Sequence, residues 1–519
     1  MMFGELPTNR LLRGFALVVS LLGNVANAAD WAQGHVFHDA NRNEQFDAAE
    51  SALPGVRVSN GRDIVTTDAA GKWRLEVTDD DVIFVIKPSG WMTPVTEDQL
   101  PRFYYIHKPN GSPESKYPGV SPTGPLPEQI DFPLYPQAEP DRFKVVFFGD
   151  PQPRDQKELD YIAHDVVEEL IGTDARFGVT LGDILFDDLS LFDNYNATIG
   201  LIGVPWYNVI GNHDLNMDAA NDRYSDETFH RFFGPNYYSF DYGKVHFIVL
   251  DNVEWLGPGE SYRGGLDAAQ IQFVANDLRS VPKGQLVVLS MHIPLGNVGN
   301  RHELYRLIED RPYSLSLSGH THWQAHQFIG EEDGWMGKRP HHHIVNVTVS
   351  GSWWKGFKDE TGIPHTTMRD GAPNGYSVLT FDGHEATFDF KAARQPASYQ
   401  MSIMAPEEVE VGKLMETELY VNVFAGSEKS EVRFRFRGAT DWVGMTATQG
   451  HDPNYVQTRV REQEIAPNEP ALNAPETSYH LWKAPLPEVA KPGVYVIEVE
   501  THDMYQRRFQ ANRVIRVIE

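Results

Sequence analysis

The chain has 519 residues, 41% of them hydrophobic and 12% aromatic, enough to build two or three globular domains. Its 72 acidic and 45 basic side chains leave a formal net charge of −27, which argues against nucleic-acid binding by charge neutralisation but not against small phosphorylated ligands at a metal-lined site. It contains no cysteine, so disulfides, thiolate ligands and a cysteine nucleophile are excluded, and any metal must be held by His, Asn and carboxylates.

In chain order, Arg10 and Arg13 precede an apolar run over 15–25, closed by Ala26-Asn27-Ala28. This is the basic, apolar, small-x-small order of a secretory signal, with cleavage expected after Ala28 and a mature protein in the periplasm or outside the cell. The run is too short for a comfortable membrane span, and no later segment approaches the about 20 apolar residues needed. Residues 29–106 read as a small β-sandwich-like domain, with apolar clusters such as Val56-Arg57-Val58 ending at turn signals such as Asn60-Gly61. The stretch 107–140 is dense in proline, glycine and serine and reads as a connector lying over another domain.

From 141 to 394 the rhythm changes. Strands over 144–148, 177–181 and 206–210 alternate with helices over 156–171 and 189–202, the pattern of an α/β layered domain. Segments 245–250, 286–291 and 344–349 supply strands for a second sheet. Over 395–519 the helical pattern disappears, and short strands over 416–423, 431–436 and 494–499 predict a C-terminal β-sandwich. No internal repeat is visible.

The residues that carry chemistry lie just past the predicted strand ends of the α/β region. They are Asp150 and Gln152 in Gly-Asp-Pro-Gln, Asp183 in Gly-Asp-Ile, and Asn212, His213 and Asp214 in Gly-Asn-His-Asp. His292 follows in Ser-Met-His-Ile-Pro, then His320 and His322 in Gly-His-Thr-His. Loops at the carboxyl ends of strands are where open α/β sheets place ligands, so five segments can converge. Imidazole, carboxylate and amide oxygen together suit Mn, Fe or Zn better than Ca. Taken singly, Asp150 or Asp183 would be read as a helix N-cap and His292 as a loop histidine.

The order of these five motifs resembles the calcineurin-like metallophosphoesterases. The resemblance implies a four-layer core, two sheets flanked by helices, with a two-metal site at its edge. One metal would take Asp150, Asp183 and His322, with Gln152 as an extra ligand; the other would take Asp183, Asn212, His292 and His320, with Asp183 bridging. A metal-bridging hydroxide would attack phosphorus, with His213 as general acid and Asp214 orienting its ring. The family's first motif usually reads Asp-x-His; Gln152 is a weaker, neutral ligand, which implies a looser first metal or the choice of a harder ion. Gly-Ser-Trp-Trp, Asp-Gly-Ala-Pro-Asn-Gly-Tyr and the tail around His480-Leu481-Trp482 resemble a bacterial secreted subgroup with β domains on both sides of the core. The expected substrate is a phosphorylated small molecule or an envelope-derived phosphoester. Two alternatives stay open: a nucleotide or nucleic-acid phosphodiesterase, and a non-catalytic cell-surface binding protein with a vestigial metal site.

Three weaker signals remain. Asp39, Asn41, Asn43 and Glu50 have calcium-loop spacing, with Glu44 in place of the usual glycine. His341-His342-His343 continues into an apolar strand pattern and reads as sheet. Of Trp353 and Trp354, one is expected in the core and the other at the substrate's border. Specificity is expected from loops over 216–225, 251–262 and 353–369.

Overall fold

The computed structural model describes residues 30–468 and 470–519. The segment read as an export signal, 1–28, lies outside them. Among the described residues no helix is long and apolar enough to cross a membrane.

The centre of the molecule is a pair of stacked sheets. One runs in the order Trp206–Val209, Phe177–Leu181, Arg142–Phe148, Gly375–Asp382, Glu385–Ala392, its first three strands parallel and its last two antiparallel. The other runs Tyr238–Tyr242, Val245–Val249, Leu286–Ser290, Ser314–Ser318, His341–Val345, Ala325–Ile329, with a parallel centre and an antiparallel strand at each edge. A bridge between Gly149 and Thr348 links them. Apolar runs form strands here because both faces are covered. In Arg142–Phe148, Phe143, Val145 and Phe147 point between the sheets, while Val146 and Phe148 meet the helices outside. Between the sheets the rings interleave: Tyr207 stacks on Phe240 at 4.1 Å, and Phe247 meets Phe381 edge-on at 5.5 Å.

Helices Gln156–Ile162 and Phe192–Gly200 cover the first sheet, and Ala268–Leu278 and Arg301–Ile308 cover the second. Asp155 and Asp267 cap two of them, each side chain accepting an N–H from three residues on. The layers are helix, sheet, sheet, helix, the four-layer fold expected of the core.

On the N-terminal side, Asp30–His38 pairs with Lys72–Val77, whose strict in-out alternation marks a sheet with one wet face. Within the stretch read as a connector, Phe132–Pro136 is a strand that pairs parallel with Asp30–His38. The rest of the stretch reaches the core: Ser115 accepts an N–H from Asn216, and Lys108 and Ser112 both engage the buried Glu227. On the C-terminal side two sheets of four and five strands pack over Leu419, Phe434, Trp482 and Ile497. A helix, Pro453–Ile465, stands where the sequence shows no helical pattern. It buries only Tyr455 and Glu462, so it has no apolar stripe to detect; Asp452 as cap and Pro453 in the first turn were its signal.

Candidate metal centre

All five motifs lie beyond the carboxyl ends of core strands, and three of them run through turns with left-handed backbone. Asp150, Gln152, Asp183, His320 and His322 all have left-handed φ, at 42°, 41°, 48°, 76° and 55°. Each non-glycine residue held there costs roughly 1–3 kcal/mol, which persists only where the surroundings over-determine it. Two motif glycines show how closely the loops approach. A Cβ on Gly182, itself at φ 85°, would stand 2.5 Å from His292 Nδ1, and one on Gly211 would run into the backbone and carboxylate of Asp183.

His292 is the hub. Its Nδ1–H donates to the Leu181 carbonyl at 2.9 Å, which leaves the Nε2 lone pair facing inward. Within 3.1 Å of that Nε2 lie Asn212 Oδ1, Asp183 Oδ1 and His320 Nδ1. Four acceptor-capable atoms converging on one point need a positive charge among them. His322 is built the same way: Nδ1–H donates to Gly351 O at 2.6 Å, and Nε2 is buried without a partner, 3.8 Å from Asp150 Oδ1. Gln152 donates Nε2 to Asp183 Oδ2 at 2.7 Å and leaves its own Oε1 buried and unpartnered. The Asp150 carboxylate accepts the His320 N–H at 2.9 Å. The seven residues read as ligands are therefore brought together, and their spare lone pairs fit metal ions.

The electrostatics show the same demand. Burial pushes the Asp150 carboxyl up to about 8 and the His322 imidazole down to about 3. Burial lowers His320 to about 4, with His292 adding to the effect. His292 goes the other way: burial lowers it, but Asp183 outweighs that and holds it near 9, a proton taking the place of a cation.

His213 stands at the rim, half-buried, with its backbone N–H on Asp183 Oδ1 at 2.9 Å. The partner of its ring is Asp187, whose Oδ1 lies 2.6 Å from Nδ1, and not Asp214 as the sequence suggested. Asp214 is fully buried and accepts three backbone N–H groups, from Ile184, Leu185 and Gly211; it fixes the loop that carries Asp183 and cannot also turn to the imidazole. Burial lowers the His213 pKa, and Asp183 and Asp187 together raise it above the ordinary value. Phe186 stacks on the ring at 4.5 Å, and Arg154 covers the other side of Phe186.

Other contributors carried no motif. Asn252 accepts from the backbone of His292 and Ile293 and donates back to the Ile293 carbonyl, locking the His292 loop. Trp353 stacks on His322 at 3.8 Å, while Trp354 is buried with Nε1–H on the Pro151 carbonyl. Both tryptophans are left-handed, not extended, so the alternation expected of a strand does not operate. His341–Val345 is a strand; His341 and His343 point to Ser314, Ser316 and Ser318 on its neighbour, away from the metal centre's ligands. In the Asp39 to Glu50 loop, Asp39 accepts the N–H groups of Asn43 and Glu44, and the amides of Asn41 and Asn43 donate to Asp47.

Two stacked sheets with His, Asp and Asn side chains gathered beyond their strand ends make a metallophosphoesterase fold. The sequence matches the calcineurin-like phosphoesterase family over residues 143–324, the family's N-terminal part over 40–117 and its C-terminal part over 343–509. On these three matches the chain belongs to the calcineurin-like phosphoesterases. No curated protein matches it. A purple acid phosphatase, PPD1 from yellow lupin (Lupinus luteus) seeds, is similar among solved structures at 16% identity, over 70% of this chain and 71% of that one, with a TM-score of 0.35, too distant to bear on the site.

Proposed function

We propose that the protein hydrolyses a phosphate ester with two metal ions, one held by Asp150, Asp183, His322 and Gln152, the other by Asp183, Asn212, His292 and His320. The observation that carries this is the convergence of Asn212, Asp183 and His320 on His292 Nε2, a point that calls for a positive charge, beside the unpartnered His322 Nε2. When bound, the metals supply Lewis acidity and, with it, a water nucleophile at neutral pH. The chain's own residues do the rest. Asp183 turns Oδ1 toward His292 and Oδ2 toward Gln152, so its carboxylate would serve both ligand sets. His213 holds Nδ1–H on Asp187, which leaves Nε2 to carry the proton given to the leaving oxygen. Phe186 and Arg154 wall this ring from solvent on one side.

The test is hydrolysis of p-nitrophenyl phosphate and bis(p-nitrophenyl) phosphate by metal-stripped protein given Mn, Fe or Zn in turn. Metal-dependent turnover is expected, lost in Asp183→Ala with the fold intact; no turnover with any metal would move the reading to a binding protein with a vestigial site. The preferred ester separates monoesterase from diesterase.

Export is part of the same proposal, supported by the order of Arg10, Arg13, the 15–25 run and Ala26-Asn27-Ala28. The protein recovered from outside the cytoplasm should begin at Ala29 on N-terminal sequencing; a start at Met1 would reject it.

A further inference from the structure

A cavity of about 910 Å³ lies apart from the metal centre, where the N-terminal domain meets the core. Its walls are the turn at Thr78–Asp81, the segment from Asp222 to Asn236, the hairpin of Val253–Trp255 and Tyr262–Gly264, and the first turn of helix Ala268–Leu278. The hairpin separates the two sites: Tyr262 meets the His320 ring at 6.0 Å, while Glu254 and Arg263 belong to the cavity.

The lining is rich in carboxylates, and the cations near it are already engaged. Arg263 forms a two-point pair with Glu254, Arg223 lies 3.1 Å from Asp80, and Lys108 binds Asp80 and Glu227. Deeper in, Asp226 and Asp251 have no such partner. The single Nδ2 of Asn236 is divided between them, at 2.6 Å from Asp226 Oδ2 and 2.9 Å from Asp251 Oδ2. His230 Nε2 stands 3.3 Å from Asp226 Oδ2. Two oxygens are left over: Asp226 Oδ1 and Gln270 Oε1 are buried with no hydrogen-bond partner. Gln270 is only 3% exposed, its Nε2 spent on the Asp251 carbonyl, and it lines the cavity. A buried acceptor without a donor costs roughly 1–3 kcal/mol, more for a carboxylate, unless a ligand supplies the donor.

We propose that this cavity binds an organic cation bearing a primary ammonium group, of the size class of a diamine or polyamine, with the ammonium between Asp226, Asp251 and Gln270. Three N–H donors on one nitrogen match the unpartnered oxygens of Asp226 and Gln270 and the carboxylate of Asp251, whose donors are the neutral Asn236 amide and the Val253 N–H at 3.0 Å. A bare metal ion fits less well. Among the described residues, the group of three His, Asp or Glu side chains with donor atoms within 4.8 Å of one another is Asp183, His292 and His320, so no third acid or histidine completes a tight cluster with Asp226 and Asp251. The volume also exceeds what one ion fills, whereas a chain with a second ammonium would reach the carboxylates of Asp222 and Asp81 nearer the mouth. Burial, with each acid's neighbours adding to it, pushes the carboxyls of Asp226 and Asp251 well above the usual range, which a bound cation would relieve.

The experiment is isothermal titration of the full chain with spermidine at 0.15 M NaCl, run beside titration with CaCl₂. The expected result is saturable one-site spermidine binding, at least tenfold weaker in Asp226→Asn and in Asp251→Asn, with unchanged melting temperature in both variants and unchanged phosphoester hydrolysis in Asp226→Asn. If either variant fails to fold, Gln270→Leu is the substitute, with the same expected loss. No spermidine binding, equal affinity in the folded variants, or calcium binding lost in those variants where spermidine does not bind would each overturn the proposal.

Discussion

At His292 one ring nitrogen is spent on the Leu181 carbonyl so that the other can face Asp183, Asn212 and His320. His213 is tuned by the same logic in the opposite direction, with Asp187 on Nδ1 favouring the protonated ring. A proton donor must be protonated to act, so activity falls as pH rises through its pKa. Removing the Asp187 charge lowers that pKa. Asp187→Asn should therefore move the alkaline limb of the pH–rate profile to lower pH and slow turnover by about 10–100-fold, the range for a partner that acts through another side chain. An unmoved limb would show that Asp187 does not govern the proton. That acid was missed in the sequence because Asp214 lies next to His213 in the chain, whereas Asp187 reaches it from the preceding loop. Adjacency in sequence puts neighbours on different sides of a tight turn.

At the scale of elements, the strands place the motifs and the turns after them set the distances. Gly182 combines a left-handed φ with a Cβ position that His292 already fills. Gly182→Ala should lower unfolding stability by roughly 1–3 kcal/mol from the backbone alone, and should also push His292 off its ligand position. The expected measurement is a lower melting temperature together with a reduced metal content after dialysis; a normal metal content would show that the His292 loop can shift aside. Strands in the core were legible because their apolar runs are continuous, and their ends were legible because glycine and ligand residues follow at once. The helix Pro453–Ile465 was not, since a helix held by Tyr455, Glu462 and its cap leaves no periodic stripe. The left-handed backbone at Asp150, Gln152, Asp183, His320 and His322 was not legible either, because nothing in Asp, Gln or His announces positive φ.

At the scale of the molecule, the flanking β domains are bound to the core by buried charge. Arg57 of the N-terminal domain reaches Asp241 at 2.8 Å and Asp277 at 2.5 Å, and His246 lies 2.8 Å from each of the same two acids. Burial lowers the His246 pKa, but Asp277 and Asp241 outweigh it and hold the ring at about 9. A histidine raised on folding contributes stability that is fully present below its unfolded pKa, about 6.5, and is lost as pH rises through the folded one. The native protein should thus lose on the order of 3 kcal/mol of stability between pH 6.5 and just above 9, read as a falling urea midpoint that His246→Gln flattens. A midpoint independent of pH over that window would show that the ring is neutral in the folded state. On the other side, His480 joins Asp370 of the core to Asn422 of the C-terminal sheet, here with every group buried.

The class of fold and the five motif segments in their order were readable from the letters alone, because hydrophobic period and motif composition are local properties that survive in a string of letters. Which carboxylate faces His213, how Trp353 comes to cover His322, and that Asp226, Asp251 and Gln270 share a cavity emerge only from the folded chain. Each of those is a contact between side chains on separate segments, and its existence depends on backbone turns and inter-domain packing that no single stretch of sequence encodes.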